Sequence, residues 1–86
     1  MFSALGDEQR QRILLMFERG EELTIKDVFE ACPLSRTAVT HHIRVLREAG
    51  VLVAEKRGKE VYLKPDAGVV LDALDRLRDY IREELR

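Results

Sequence analysis

The chain is short of most things that build large or secreted proteins. It has one cysteine, two prolines, five glycines and no tryptophan in 86 residues. The lone Cys32 excludes an internal disulfide framework and an all-cysteine zinc site within one chain. No apolar run approaches the ~20 residues of a membrane-spanning helix. Residues 1–5 are too short for the apolar core of a secretory leader, so the expected location is cytoplasmic. Gly58 stands alone in its turn, and no glycine-rich loop is present to cradle a phosphate. The length suits one small domain over residues 1–86 and excludes a large α/β enzyme fold. So small a domain buries only about 60–65% of its unfolded surface, and a partner would add to a thin core.

An excess of one charge is also lacking, since the net charge is −1. The mean hides a gradient between the punctuating residues Pro33 and Pro65. Residues 1–33 carry four basic and seven acidic side chains, a balance of −3. Residues 34–64 carry seven basic and three acidic, a balance of +4. Residues 65–86 carry four against six, a balance of −2. A basic middle between acidic flanks is the local footprint that phosphate binding requires.

What is present is strongly patterned. Asp7 caps a first helix expected over 7–19, with Ile13, Leu14 and Phe17 on one face, Arg10, Arg12 and Glu18 turned mainly to water, and Gly20 as its stop. Thr24 caps a second, over 24–32, with Asp27 placed for a capping box and Ile25, Val28, Phe29 and Cys32 inward. Pro33 ends it. Ser35 starts a third helix over 35–49, with Val39, Ile43 and Leu46 on its apolar face and Gly50 as its stop. Two helices joined by so tight a turn read as a helix-turn-helix. The period then changes. Residues 51–64 alternate around Arg57-Gly58-Lys59 and read as a two-stranded hairpin. A last helix over 67–85 carries Val70, Leu74, Leu77, Ile81 and Leu85 at near-heptad spacing. A thin domain cannot easily cover so long a stripe, so we read it as a seam against a second copy.

Helix, helix, turn, helix, hairpin, long helix is the order of a winged helix-turn-helix, mainly α with a small β-hairpin. The third helix then exposes Arg36, Thr37, Thr40, His41 and Arg44, with His42 at the edge of the buried face. An α-helix fits the major groove of DNA, where Arg reads guanine, Thr bonds base edges or meets the thymine methyl, and His donates to an acceptor. Lys56, Arg57 and Lys59 at the hairpin tip suit adjacent phosphates.

These residues resemble a known family. Ala4-Leu5-Gly6-Asp7-Glu8-Gln9-Arg10-Gln11-Arg12-Ile13-Leu14 is similar to the opening signature of the ArsR family of bacterial repressors. The recognition-helix signature is resembled by Leu34-Ser35-Arg36-Thr37-Ala38-Val39-Thr40-His41-His42-Ile43-Arg44-Val45-Leu46-Arg47-Glu48-Ala49-Gly50-Val51-Leu52, and the wing by residues 57–63. The resemblance implies a homodimeric repressor on an inverted-repeat operator, usually released by an effector. It assigns base reading to Ser35, Arg36, Thr37, Thr40 and His41, and phosphates to Arg44 and the wing.

The departures matter as much. Metal-sensing members of that family carry a Cys-x-Cys pair at the second helix, where this chain reads Leu23-Thr24-Ile25-Lys26-Asp27. Others bind zinc through Asp and His pairs on terminal helices, and the last helix here has no histidine. Without thiolate or imidazole at those places, no metal site and no cofactor are expected. His41 and His42 diverge by about 100° on a helix and cannot share one ion from the same chain. Two histidines on one such helix do not assemble a nucleophile–base–acid set, so no enzyme is expected. The expected partners are double-stranded DNA and a second copy of the chain, with no membrane; the residues name no effector. Two other readings stay open: a winged-helix module that binds protein, and a repressor that responds through the Cys32 thiol.

Overall fold

Residues 2–17 and 21–85 are described in a computed structural model of the chain. The elements run α1 (Phe2–Leu5), α2 (Glu8–Leu15), β1 (Leu23–Thr24), α3 (Ile25–Ala31), α4 (Arg36–Glu48), β2 (Leu52–Arg57), β3 (Glu60–Pro65) and α5 (Ala67–Glu84). This is a winged helix-turn-helix.

Helices α2 to α5 each begin where a side chain can satisfy amides that have no partner inside the helix. Asp7 accepts from the amides of Gln9 and Arg10 at 2.8 and 3.2 Å. Thr24 and Asp27 form a reciprocal capping box, each side chain bonded to the other's amide at 3.0 Å. Ser35 Oγ accepts from the Ala38 amide at 3.2 Å, and Asp66 Oδ1 from that of Val69 at the same distance. Helix α4 ends in a Schellman motif. Gly50, at φ 79°, donates to the Arg47 carbonyl at 3.0 Å, and Val51 donates to Leu46 at 2.9 Å. The left-handed turn suits glycine and delivers Val51, fully buried, straight into the core.

Three features differ from the sequence reading. Helix α2 stops at Leu15 instead of running to 19: its end tightens into a three-residue-spaced turn, the amides of Met16 and Phe17 bonding to the carbonyls of Ile13 and Leu14 at 3.1 and 3.2 Å, which sets Phe17 into the core. The Gly20 stop lies outside the described residues. A four-residue turn of helix, α1, precedes Asp7. The hairpin forms as read, with Arg57 opposite Glu60 across its turn, but the sheet has a third strand. Leu23–Thr24 pairs with β3 through Leu23 opposite Leu63 and Thr24 opposite Tyr62, which makes an antiparallel sheet of order β1-β3-β2. Two residues are too few to show an alternating pattern, so this strand was invisible in the periodicity.

The core lies between these elements. Ile13, Val28, Val39, Leu46, Val51 and Leu63 are fully buried, and Ala4, Phe17, Cys32, Ile43 and Leu52 nearly so. Every helix from α1 to α4 and the inner face of the sheet contributes. Helix α5 joins this core only at its start, through Val69 and Val70. Its last buried residue is Ala73. At ~1.5 Å per residue its 18 residues span about 27 Å, and the molecule measures 49 by 24 by 21 Å.

The Asp7 cap has a pH signature. Its carboxyl lies below the ordinary 3.8, held there chiefly by the Arg10 amide, with the Gln9 amide and the charge of Arg10 adding to it against a partial desolvation. A carboxylate favoured in the folded state contributes stability that is complete above the unfolded value and lost as pH falls through the folded one. Asn keeps a capping oxygen but has no charge to titrate. Asp7→Asn is therefore expected to flatten the acid limb of a urea-midpoint profile, lying below wild type near neutrality and converging with it as pH falls below 3.8.

Candidate nucleic-acid interface

Helix α4 divides into two faces. Val39, Ile43 and Leu46 turn inward, and Arg36, Thr37, Thr40, His41 and Arg44 are all exposed on the other side. The exposed set is polar or basic throughout, with no carboxylate before Glu48. Arg36 sits in the first turn, where the helix dipole disfavours a cation. Its guanidinium lies over the Phe29 ring of α3, 5.0 Å from the centroid. That stacking offsets the unfavourable dipole and aims an Arg outward from the corner between α3 and α4. Ser35 carries the cap, so its hydroxyl oxygen already accepts one bond at the helix end, while its proton is free to reach outward.

His42 sits at the edge of the buried face, half-buried. Arg10 Nη1 approaches its Nδ1 at 3.2 Å. A guanidinium only donates, so Nδ1 is the acceptor and a neutral ring carries its proton on Nε2. The same Arg10 donates through Nε to the Ala4 carbonyl at 2.9 Å. It ties α1, α2 and α4 together at one point. The sequence reading turned Arg10 mainly to water. The structure half-buries it, because α1 and α4 close over that side of α2. No local pattern signals such a contact, since its partner is 32 residues away. The neighbouring His41 ring stands 5.7 Å from His42 and remains on the exposed side.

The wing continues this surface. Glycine at the first position of the two-residue Gly58–Lys59 turn has φ 62°, a backbone conformation that other residues adopt at a cost. Lys56 and Lys59 are exposed and form no ion pair among the described residues. Arg57 differs. Its Nη2 bonds Glu22 at 2.7 Å and Glu55 at 2.9 Å, and its guanidinium lies 4.7 Å from the Tyr62 ring centroid. The three wing cations grouped by sequence are therefore two outward lysines and one arginine folded back on the sheet. Between α4 and β2 a cleft is lined by Arg44, Arg47, Gly50 and Ala54, among others, which joins the helix surface to the wing.

The expected seam on α5 is divided by the fold. Val70 packs on the chain's own core. Leu74, Leu77, Ile81 and Leu85 are 49, 38, 45 and 69% exposed, and Leu71 and Tyr80 widen the apolar face. Cys32 is buried at the end of α3, its amide bonded to Val28. Among the described residues, no helix is long and apolar enough to cross a membrane.

Comparison with known proteins agrees with this geometry. A family model for a helix-turn-helix domain matches residues 5–54. The arsenic resistance transcriptional regulator ArsR1 of Pseudomonas putida is 34% identical over 76 residues, covering 86% of this chain and 59% of its own length. The chain thus spans less than two thirds of that relative. The transcriptional repressor SdpR of Bacillus subtilis is 25% identical over 83 residues, covering 96% of this chain and 91% of its own. Among solved structures, an ArsR-like transcriptional regulator from Rhodococcus superposes with a TM-score of 0.79 at 28% identity, over 98% of this chain and 75% of that one.

Ser35 and Thr37 separate capping from surface. Ser35→Ala is expected to lower stability by about 1 kcal/mol through loss of the cap. Thr37→Ala, exposed on the same turn, is expected to stay within about 0.5 kcal/mol. Urea unfolding followed by circular dichroism checks both.

Proposed function

Because the chain belongs to the ArsR family of helix-turn-helix transcriptional regulators, we propose that it acts as a homodimeric repressor that reads an inverted-repeat operator with α4. The observation that carries this reading is the exposed face of α4. It presents Arg36, Thr37, Thr40, His41 and Arg44 together, on a helix whose opposite face is locked into the core. A helix so presented fits the major groove, where its N-terminal residues reach base edges. Arg36, Thr37, Thr40 and His41 lie in the first half of α4 and suit base contacts. Arg44 lies one turn further and borders the cleft toward the wing, which suits a phosphate. Lys56 and Lys59 extend the phosphate contacts, and the proton of Ser35 supplies one more at the helix start.

The second copy follows from α5. Beyond Ala73 every described residue of the helix is exposed, yet it continues to place Leu74, Leu77 and Ile81 on one face. Burying such a stripe against its symmetry mate removes apolar surface from water. A two-fold dimer then sets two α4 helices about 34 Å apart, one turn of DNA. Occupancy of a promoter by such a dimer blocks transcription without any chemical step, so this role calls for neither catalysis nor a cofactor. This places its work in the cytoplasm, beside the chromosome.

Three measurements test this. Binding to the DNA upstream of the chain's own gene should weaken steeply as salt rises, through counterion release. Arg44→Ala should weaken binding to all sequences alike, whereas His41→Ala should change the preferred sequence, read by selection from a randomised duplex pool. Loss of preference in the first and uniform weakening in the second would reverse the assigned roles. Ile81→Asp should convert a dimer to a monomer in sedimentation equilibrium at micromolar concentration. A wild-type monomer there would overturn the use of α5.

A further inference from the structure

The outer face of the sheet carries a feature that the DNA-reading surface does not use. Side chains on a strand alternate between faces. Leu52 and Ala54 of β2 face the core, so Val53, Glu55 and Arg57 face outward. Across the ladder Glu55 lies opposite Tyr62, and on the far side Tyr62 lies opposite Thr24 of β1. Glu55, Tyr62 and Thr24 therefore form one row across all three strands, and Glu22 precedes that row's end by two residues, on the same face. Arg57 starts on β2, crosses β3 over the Tyr62 ring and reaches Glu22 beside β1. Glu55 holds the near side of the same guanidinium. One terminal nitrogen, Nη2, thus meets two carboxylates while the guanidinium lies against an aromatic face, a stacking that suits Arg better than Lys.

We propose that Arg57 is a positioning residue of the wing and not a phosphate contact: it straps β2 across β3 to the segment entering β1, and leaves the DNA backbone to Lys56 and Lys59. The inference rests on the DNA-binding reading above. The geometry supports it in two ways. The guanidinium is turned back across the sheet, away from the turn. Strand β1 is only two residues long, so its ladder is a short anchor for the sheet, and a side-chain tie over that ladder adds to it. Lys56, one residue earlier, alternates to the face that packs toward α4, and Lys59 stands in the turn itself.

The slope of log affinity against log salt counts phosphate contacts, at about 0.9 per contact on duplex DNA. Anisotropy of a labelled mixed-sequence duplex, titrated across a KCl series, reads it. Lys59→Gln is expected to reduce the slope by about 0.9 per bound protomer. Arg57→Gln is expected to weaken binding and leave the slope unchanged. Amide hydrogen exchange without DNA reads the strap directly. Arg57→Gln and Glu22→Gln are each expected to raise exchange several-fold at the amides that pair β3 with β1 and β2. A slope loss in Arg57→Gln equal to that of Lys59→Gln would overturn the proposal, as would unchanged exchange in both strap variants. A wild-type affinity that does not respond to salt would overturn the DNA-binding reading itself, and the strap's role with it.

Discussion

Everything in this molecule depends on burying one stripe of α4. Val39, Ile43 and Leu46 meet the rest of the core with almost no exposed surface. Each such side chain contributes about 1.5–3 kcal/mol relative to exposure. That burial fixes the rotation of α4 about its own axis. Once the rotation is set, the residues about half a turn away have no choice but to face solvent. Function and stability are thus written on opposite faces of one helix, and neither face can turn without the other.

From that helix the constraint propagates to the wing through Gly50. The Schellman turn closes the last carbonyls of α4 and directs Val51 into the core. The sheet follows at once, with its inner face against the helices. Asp66 then bonds back to the Val51 carbonyl at 2.8 Å, so the end of the hairpin is fastened beside its beginning. The wing tip is held at both ends relative to α4. The Arg57 tie across the outer face adds a third hold, and the Arg10 link to His42 anchors the opposite side of the reading helix. The basic surface is a small set of outward cations on a braced frame, between acidic flanks that limit non-specific attraction.

Much of this was legible in the residues. Caps, stops and periodicity placed the bounds of α3, α4 and α5 within one residue, because each is set by local bonding chemistry. Asp27 three residues after Thr24, or Gly50 after Ala49, needs no tertiary partner to be read. The exposed face of α4 was legible for the same reason, since 100° per residue is a property of the helix itself. The early end of α2 was not, because its last turn tightens to set Phe17 into the core and no breaking residue marks the spot. Strand β1 was missed because a two-residue strand exists only by virtue of the strand it joins.

Local sequence settled that α2 to α5 fold as helices and residues 51–64 as a hairpin, where these start, and which side of α4 meets water. Those outcomes follow from capping, backbone preference and side-chain spacing, which act over a few residues. Tertiary structure alone decided what the individual charges do. Arg10 and Arg57 look like surface cations in the chain, yet one ties three helices and the other crosses a sheet, with partners 32 and 35 residues distant. It also split the α5 stripe, committing Val70 to the chain's own core and leaving Leu74, Leu77 and Ile81 outward. Spacing says which side chains share a face; only the packed fold says which part of that face is already covered.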